Sequence, residues 1–423
     1  MRTHLLHHLG MVLLSIGPGM LASHLLMASP LHISLPKYRL QPGELAVIVN
    51  DADPLSVRIG EYYRQARDLP AENLLHLNFK PGKTLMGAEA FTRLRTALLK
   101  ATPEHIQAFA ITWAHPYRVD CMSITSAMSF GFDTRWCSQR RCATTAHSPY
   151  YRYAGADPYR DLGIRPTMSI AAESFAEAKA LIDRGIAADA SLPHGTAYLV
   201  STNDKSRNVR AIDYRRIDRI MQGWLDTRIV HDESIRDRHD VMFYFTGKSR
   251  IEGLNTLTFL PGAVADHLTS TGGRLNGGKQ MSALNWLKAG ASGSYGTVVE
   301  PCNHLGKFPN PAILLERYGS GNTLIEAYWK SVQQPGEGIF IGEPLAAPYD
   351  RVAIENGDGQ ALLRTRSLTP GIYQLSHAVS PVGPFRKLSK LLVSYHQQAF
   401  KLPDQRGGYY LLEATGTAKS ISR

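Results

Sequence analysis

Short apolar runs alternate along the chain with segments whose apolar side chains recur every three or four residues. A run that is apolar throughout reads as a strand buried on both faces, and the wider spacing reads as an amphipathic helix. The first such pair is LAVIVN, Leu45 to Asn50, followed after Asp51-Ala52-Asp53 by PLSVRIGEYYRQARDLP. There Val57, Ile59, Tyr62, Tyr63 and Ala66 share a helical spacing, with Asp53 as N-cap and Pro54 at the first helical position. NLLHLNF then predicts a strand, Ala88 to Lys100 a helix, and IQAFAITWA a buried strand. Such alternation is the pattern of an α/β sheet whose strands run mostly parallel.

The alternation breaks between Tyr117 and Pro166, a stretch rich in Ser, Thr, Tyr, Arg and Gly that reads as an excursion from the sheet. It resumes with the strand TMSIA, a helix from Glu173 to Ala188, the strand TAYLVS, a helix from Val209 to Leu225 and the strand VMFYFTG. LTFLPGAVADHL, a helix from Ser282 to Ala289, the strand TVVEP and helices at Pro311 to Tyr318 and Thr323 to Ser331 complete it. The expectation is one three-layer α/β domain over 43–349, with the excursion at 117–166. From about Gln360 the text becomes short and turn-punctuated, which predicts a small antiparallel β unit over 355–415.

Composition narrows the class. At 43% hydrophobic and 20% charged, the chain carries enough apolar material for a packed core, which excludes extended disorder. The 47 Lys and Arg against 36 Asp and Glu give +11, but the basic residues are scattered and no nucleic-acid-binding motif accompanies them. Nucleic acid is therefore not an expected partner. Leu9 to Ala28 is apolar, follows Arg2, and is interrupted by Gly17-Pro18-Gly19, which reads as a secretory signal peptide over 1–28. No later segment is apolar for long enough to span a membrane, so the expectation is an exported protein of the periplasm or cell envelope. The four cysteines suit that compartment, and the short loop between Cys137 and Cys142 favours a bridge there, leaving Cys121 and Cys302 paired or free.

In open parallel sheets chemistry gathers at the carboxyl ends of strands. No GxxxxGK[ST] and no GxGxxG after the first strand is present, so no nucleotide cofactor is expected. Gly262 to Cys302 concentrates the remaining candidates. Asp266 would orient His267, and His267 would activate Ser270 or Cys302, with backbone N–H groups around Gly272 and Gly273 stabilising an oxyanion. Adjacent Asp and His point to opposite faces of a strand, so a turn would be needed for them to cooperate. A metal grouping of Asp266, His267, Glu300 and His304 requires LTFLPGAVADHL and TVVEP to be neighbours.

The succession VMFYFTGKSR, LTFLPGAVADHLTSTGG, MSALNWLKAGA, GTVVEPC and GEPLAAPY resembles the caspase and gingipain-like cysteine peptidase fold. That resemblance implies a His-Gly after one strand and a nucleophilic Cys after the next. Here the first position reads Thr246-Gly247, and the second falls at His267 to Thr271, which holds no Cys. ELAVIVNDADPLSVRIGEYYRQARDLPAENLLHL, ITSAMSFGFD, LPGAVADHLTSTGG, QMSALNWLKAGASGSYGTVVEPC, FPNPAILLERY, TLIEAYWKSV and GIFIGEPLAAPY are similar to an exported bacterial family that occurs with the exosortase protein-sorting system. This likeness implies an envelope location, a protein or peptide partner there, and a part in processing or displaying sorted proteins. Two function classes follow: a peptidase-like hydrolase with a rearranged site, and a non-catalytic binding or scaffold protein on a peptidase-like fold.

Overall fold

The structure, a computed structural model, describes residues 31–140, 142–357, 360–403 and 407–417. The expected leader at 1–28 lies outside the described residues. After β1 (Leu31–Ser34) the chain forms β2 (Leu45–Asn50), α1 (Pro54–Ala66), β3 (Leu74–Leu77), β4 (Leu85–Met86), α2 (Ala88–Ala101) and β5 (Ala108–Ile111). The excursion carries β6 (Arg118–Val119), β7 (Met122–Ser123), α3 (Ile124–Phe130) and α4 (Pro158–Leu162). Then come β8 (Thr167–Ser169), α5 (Phe175–Ala188), β9 (Thr196–Ser201), α6 (Tyr214–Met221), β10 (Asp226–His231), β11 (Val241–Thr246) and β12 (Phe259–His267). α7 (Leu284–Ala289), β13 (Gly293–Thr297), α8 (Pro311–Gly319), α9 (Leu324–Ser331) and β14 (Gly338–Gly342) close the domain.

Ten of these strands build one sheet in the order β10-β9-β11-β12-β13-β14-β8-β5-β2-β3. The five from β10 to β13 pair in parallel, as do β8, β5, β2 and β3. β14 lies antiparallel to β13 and meets β8 at Ile341 and Ser169. β2, β5, β8, β11, β13 and β14 are buried at every position, which requires helices on both faces of the sheet. The mostly parallel three-layer α/β class is the observed one. Local signals explain the helix starts: Asp53 caps α1 by accepting from the Leu55 N–H, with Pro54 opening the helix, and Ser174 caps α5 through the Glu177 N–H.

Several elements differ from the sequence expectation, the unanticipated strand β14 among them, and three of the differences have a local cause. The helix expected over Val209 to Leu225 is a 3-10 turn, Asn208–Asp213, followed by the shorter α6, because Arg210 turns inward to donate to the Thr246 carbonyl at 2.7 Å. The strand expected at TVVEP lies earlier, at Gly293–Thr297. Its glycines are required by packing: a Cβ on Gly296 would sit 2.3 Å from the Gly273 nitrogen, so strand and loop meet backbone to backbone. The third is β10, a half-exposed edge strand with alternating burial that carries too few apolar residues to stand out.

A second core belongs to the C-terminal unit and includes Leu363, Leu375, Phe400 and Leu412. Its strands are β15 (Val352–Gly357), β16 (Gln360–Thr365), β17 (Gly371–Ala378), β18 (Arg386–Val393), β19 (Ala399–Leu402) and β20 (Gly408–Thr417). They form two sheets, β15-β16-β19 and β1-β20-β17-β18. β1 joins in parallel to β20, so a segment from the front of the chain completes a sheet at its end.

The cysteines pair as Cys121–Cys137 and Cys142–Cys302. The expected Cys137–Cys142 bridge does not form. Cys137 is buried under the 3-10 turn Thr134–Trp136 beside Cys121, and the following loop carries Cys142 across to the exit of β13. One bridge therefore closes the excursion on itself, and the other ties it to the sheet.

Candidate functional site

The carboxyl ends of β9, β11, β12 and β13 open on one side of the sheet, and the loops after them bring the candidate residues together. Asp266, next to last in β12, is buried and forms an ion pair at 2.6 Å with Arg210, itself buried. Arg210 also holds the Thr246 carbonyl, so it ties β11 and β12 to the turn before α6. Burial pushes the Asp266 carboxyl up, and the Arg210 guanidinium pulls against that shift. Asp266 makes no hydrogen bond to His267. Along a strand the two face opposite ways, and no turn intervenes.

His267 is buried on the α7 side. Its Nδ1 accepts from the Trp286 indole N–H at 2.9 Å, and its Nε2 donates to the Met281 carbonyl at 3.1 Å. Both ring nitrogens are occupied by partners that fit the neutral ring alone, since a protonated ring could not accept from an indole. Burial pushes this histidine down to about 4, aided by Arg210 and Arg207 and opposed by the Met281 bond. In this arrangement His267 has no free nitrogen with which to take a proton from Ser270.

Ser270 stands in the loop that follows, half-buried, with its carbonyl accepting from the Thr297 hydroxyl at 3.1 Å. Its own hydroxyl has no hydrogen-bond partner among the described residues. Gly273 gives its N–H to the Thr297 carbonyl at 3.0 Å, which removes it as an oxyanion donor. Cys302 lies beyond β13 in the bridge to Cys142, and a bridged sulfur offers no thiolate. The four candidates therefore share the carboxyl side of the sheet; Asp266 Oδ1, both His267 nitrogens and the Cys302 sulfur engage different partners, and the Ser270 hydroxyl and Asp266 Oδ2 have none among the described residues.

The metal grouping does not assemble either. Asp266 faces Arg210, His267 faces Trp286, Glu300 accepts from the Cys302 N–H, and His304 bonds the Cys142 carbonyl. Among the described residues no group of three or more His, Cys, Asp or Glu side chains is placed to hold a metal ion.

Residues not singled out from the sequence complete this edge. Arg207 donates from Nε to the Thr269 hydroxyl at 3.0 Å and from Nη1 to Asp204 at 2.9 Å. Gln280 accepts from the Thr269 hydroxyl, the Thr271 hydroxyl and the Thr271 N–H, which pins the loop. The Arg207 backbone lies directly over Gly247, where a Cβ would sit 2.0 Å from the Arg207 carbonyl oxygen. The sequence did hold one signal for Arg210: an Asp inside the apolar run LPGAVADHL needs a buried cation nearby. No comparable signal marked Arg207, Gln280 or Trp286.

No protein-family model matches the chain, and no curated protein matches it. Two solved structures resemble its backbone. Gingipain R, an Arg-specific cysteine proteinase, is 8% identical over 89% of this chain and 100% of its own, with a TM-score of 0.49. A second, described as a protease, is 12% identical over 80% of this chain and 87% of its own, with a TM-score of 0.37. At those identities no residue role passes from either protein to this one.

Proposed function

We propose that this chain is an exported, non-catalytic binding or scaffold protein of the cell envelope. It receives a protein or peptide segment at the carboxyl ends of β9, β11, β12 and β13. The observation that carries this reading is the loop from Asp204 to Asn208, which crosses Gly247 and sets the Arg207 guanidinium on Thr269. Where these strands open, both His267 nitrogens and Asp266 Oδ1 are engaged by Trp286, Met281 and Arg210, which leaves no free imidazole nitrogen beside the Ser270 hydroxyl. In the loops after these strands Lys205, Arg250, Arg274 and Lys279 are exposed with Glu252 and Glu300, a positive excess that favours an acidic segment. Two disulfides support an oxidising compartment, and envelope placement alongside an exosortase system accords with both.

A peptidase-like hydrolase is the second reading, and it rests on the unbonded Ser270 hydroxyl. Dye-labelled acidic, neutral and basic peptides, incubated with the full chain and followed by anisotropy and by mass spectrometry, separate the two. The binding reading expects saturable, salt-sensitive capture of the acidic peptides, weakened by Lys205→Glu and Arg274→Glu, with the peptides recovered intact. Cleavage that disappears in Ser270→Ala would sink it.

A further inference from the structure

A second site lies at the opposite end of β9 and β10, where the sheet domain meets the C-terminal β unit. A cavity of about 230 Å³ opens there between the end of α8 and the turns of the β unit; its walls include Trp224, Glu316, Arg317, Arg366, Tyr395 and His396. A neighbouring cavity of about 230 Å³ shares Trp224 and Arg366 and adds Tyr349 and Asp226. Each is below the roughly 300–1,000 Å³ of a drug-sized pocket, so either accommodates a single small group.

Two cations of this junction have no carboxylate. Arg366 donates from Nε to the Gln398 side chain at 2.9 Å, and its guanidinium carbon stands 4.7 Å from the Trp224 ring centroid and 5.2 Å from that of Tyr349. Its Nη1 is buried and unbonded, and no carboxylate among the described residues comes within ion-pair distance. Arg317 is more open to solvent: Nη2 reaches the Arg152 carbonyl at 3.4 Å, Nε is buried and unbonded, and no ion pair forms among the described residues. A guanidinium withdrawn from water without an anion is costly, and burial lowers Arg366 below the usual range of its group. Glu316 lines the same cavity beside the Tyr395 hydroxyl and forms no ion pair with either arginine. With Glu316 counted, the first cavity still keeps one net positive charge.

The remaining wall mixes Ala154, Leu368 and Pro370 with Ser320, Thr369 and Gln397 around a pair of rings. His396 stacks on Trp224 with ring centroids 4.7 Å apart at 15°, and Leu368 and Pro370 lie beside them. Planar forks that match a carboxylate, set against stacked rings, describe a site for an anion attached to an apolar or aromatic group. We propose that this cavity binds a carboxylate carried next to an apolar or aromatic group, held by Arg366 and Arg317 and stacked on the Trp224–His396 shelf. The C-terminal residue of a peptide and a small aromatic acid both present that arrangement.

Calorimetric titration of the full chain with N-acetyl-phenylalanine, its amide, an N-acetylated dipeptide ending in phenylalanine, and benzoate tests this. Saturable binding of the free acids is expected, lost on amidation and weakened about tenfold or more in Arg366→Gln, the scale of one charge-assisted hydrogen bond. Arg366→Lys, which keeps the charge but not the fork, should also bind more weakly. A dipeptide tighter than benzoate assigns the site to a chain end, and the reverse order assigns it to a small acid. Circular dichroism confirms the fold of each variant, and Arg317→Gln repeats the test at a more exposed position. Equal binding of acid and amide, unchanged affinity in both glutamine variants, or no saturable binding of any probe would overturn the proposal. Lys205→Glu and Arg274→Glu lie at the other end of the strands and should leave this titration unchanged, so it fails or succeeds independently of the proposed peptide surface.

Discussion

The neutral, doubly bonded state of His267 makes acid stability the sharpest test of the site. In the folded chain this ring resists protonation until about pH 4, whereas an unfolded histidine titrates near 6.5. Its folded pKa is depressed, so its contribution is fully present above about pH 6.5 and is lost as pH falls through that window. Between about 6.5 and 4 the unfolded state binds the proton and the folded state does not, which gives a slope of up to about 1.4 kcal/mol per pH unit. Below about 4 both states are protonated and the loss levels off at about 3 kcal/mol.

The perturbation that isolates this term is His267→Gln, whose amide can donate to Met281 and accept from Trp286 but does not titrate. Urea unfolding of wild type and variant, followed by tryptophan fluorescence from pH ~8 to ~4.5, should show the wild type losing stability relative to the variant as acid is added. His267→Phe, which leaves the Trp286 N–H and the Met281 carbonyl without partners, should cost about 1–3 kcal/mol for each at neutral pH. Parallel pH curves for wild type and His267→Gln would refute the reasoning, because they would mean that His267 is hydrated and free to accept a proton, which would return it to the list of possible bases.

Three further outcomes test the same edge. Arg210→Met removes the partner of a buried carboxylate and should destabilise the chain by about 3–5 kcal/mol, while Arg210→Met with Asp266→Leu should recover most of that loss in the same urea titration. Cys302→Ser opens the bridge to Cys142, 160 residues away in sequence, and should lower stability by about 2–5 kcal/mol in urea. Gly273→Ala puts a methyl group 2.4 Å from the Gly296 carbonyl oxygen, a backbone contact with no flexible end to yield, and should cost about 1–3 kcal/mol or more, read as a lower Tm.

Much of the fold was legible because burial on both faces leaves a strong mark in the sequence. LAVIVN and TAYLVS are apolar runs with the observed boundaries of β2 and β9, VMFYFTG runs one residue past β11, and Asp53-Pro54 marks the start of α1. The misplaced strand shows the limit of that signal. VV in TVVEP is the apolar pair, but the strand is GSYGT, where closeness of backbones selects small residues and erases the hydrophobic run. Helix α6 begins late because Arg210 answers Asp266, a partner more than fifty residues downstream that local spacing cannot reveal. The disulfides failed for the same reason: Cys137 and Cys142 are close in sequence, but each sulfur is positioned by a different neighbour.

The candidate site was legible in place and not in role. Asp, His, Ser, Thr and Gly gather where β11 and β12 end because strand ends leave backbone donors and acceptors to be satisfied, and these residue types satisfy them in a small space. A catalytic edge uses the same types but must keep one nucleophile and one base short of partners in the resting state. Here the Ser270 hydroxyl is without a partner among the described residues, but the histidine three residues before it has no free nitrogen. His267 uses both nitrogens, Asp266 is held by a guanidinium, Thr269 is bonded on both sides, and Cys302 is bridged. These bonds tie β12 to α7 and to the loops around it, and the loops to one another. Under the proposed binding function, a partner would meet the exposed Lys205, Arg250, Arg274 and Lys279, and rigidity beneath them would lower the ordering cost of binding.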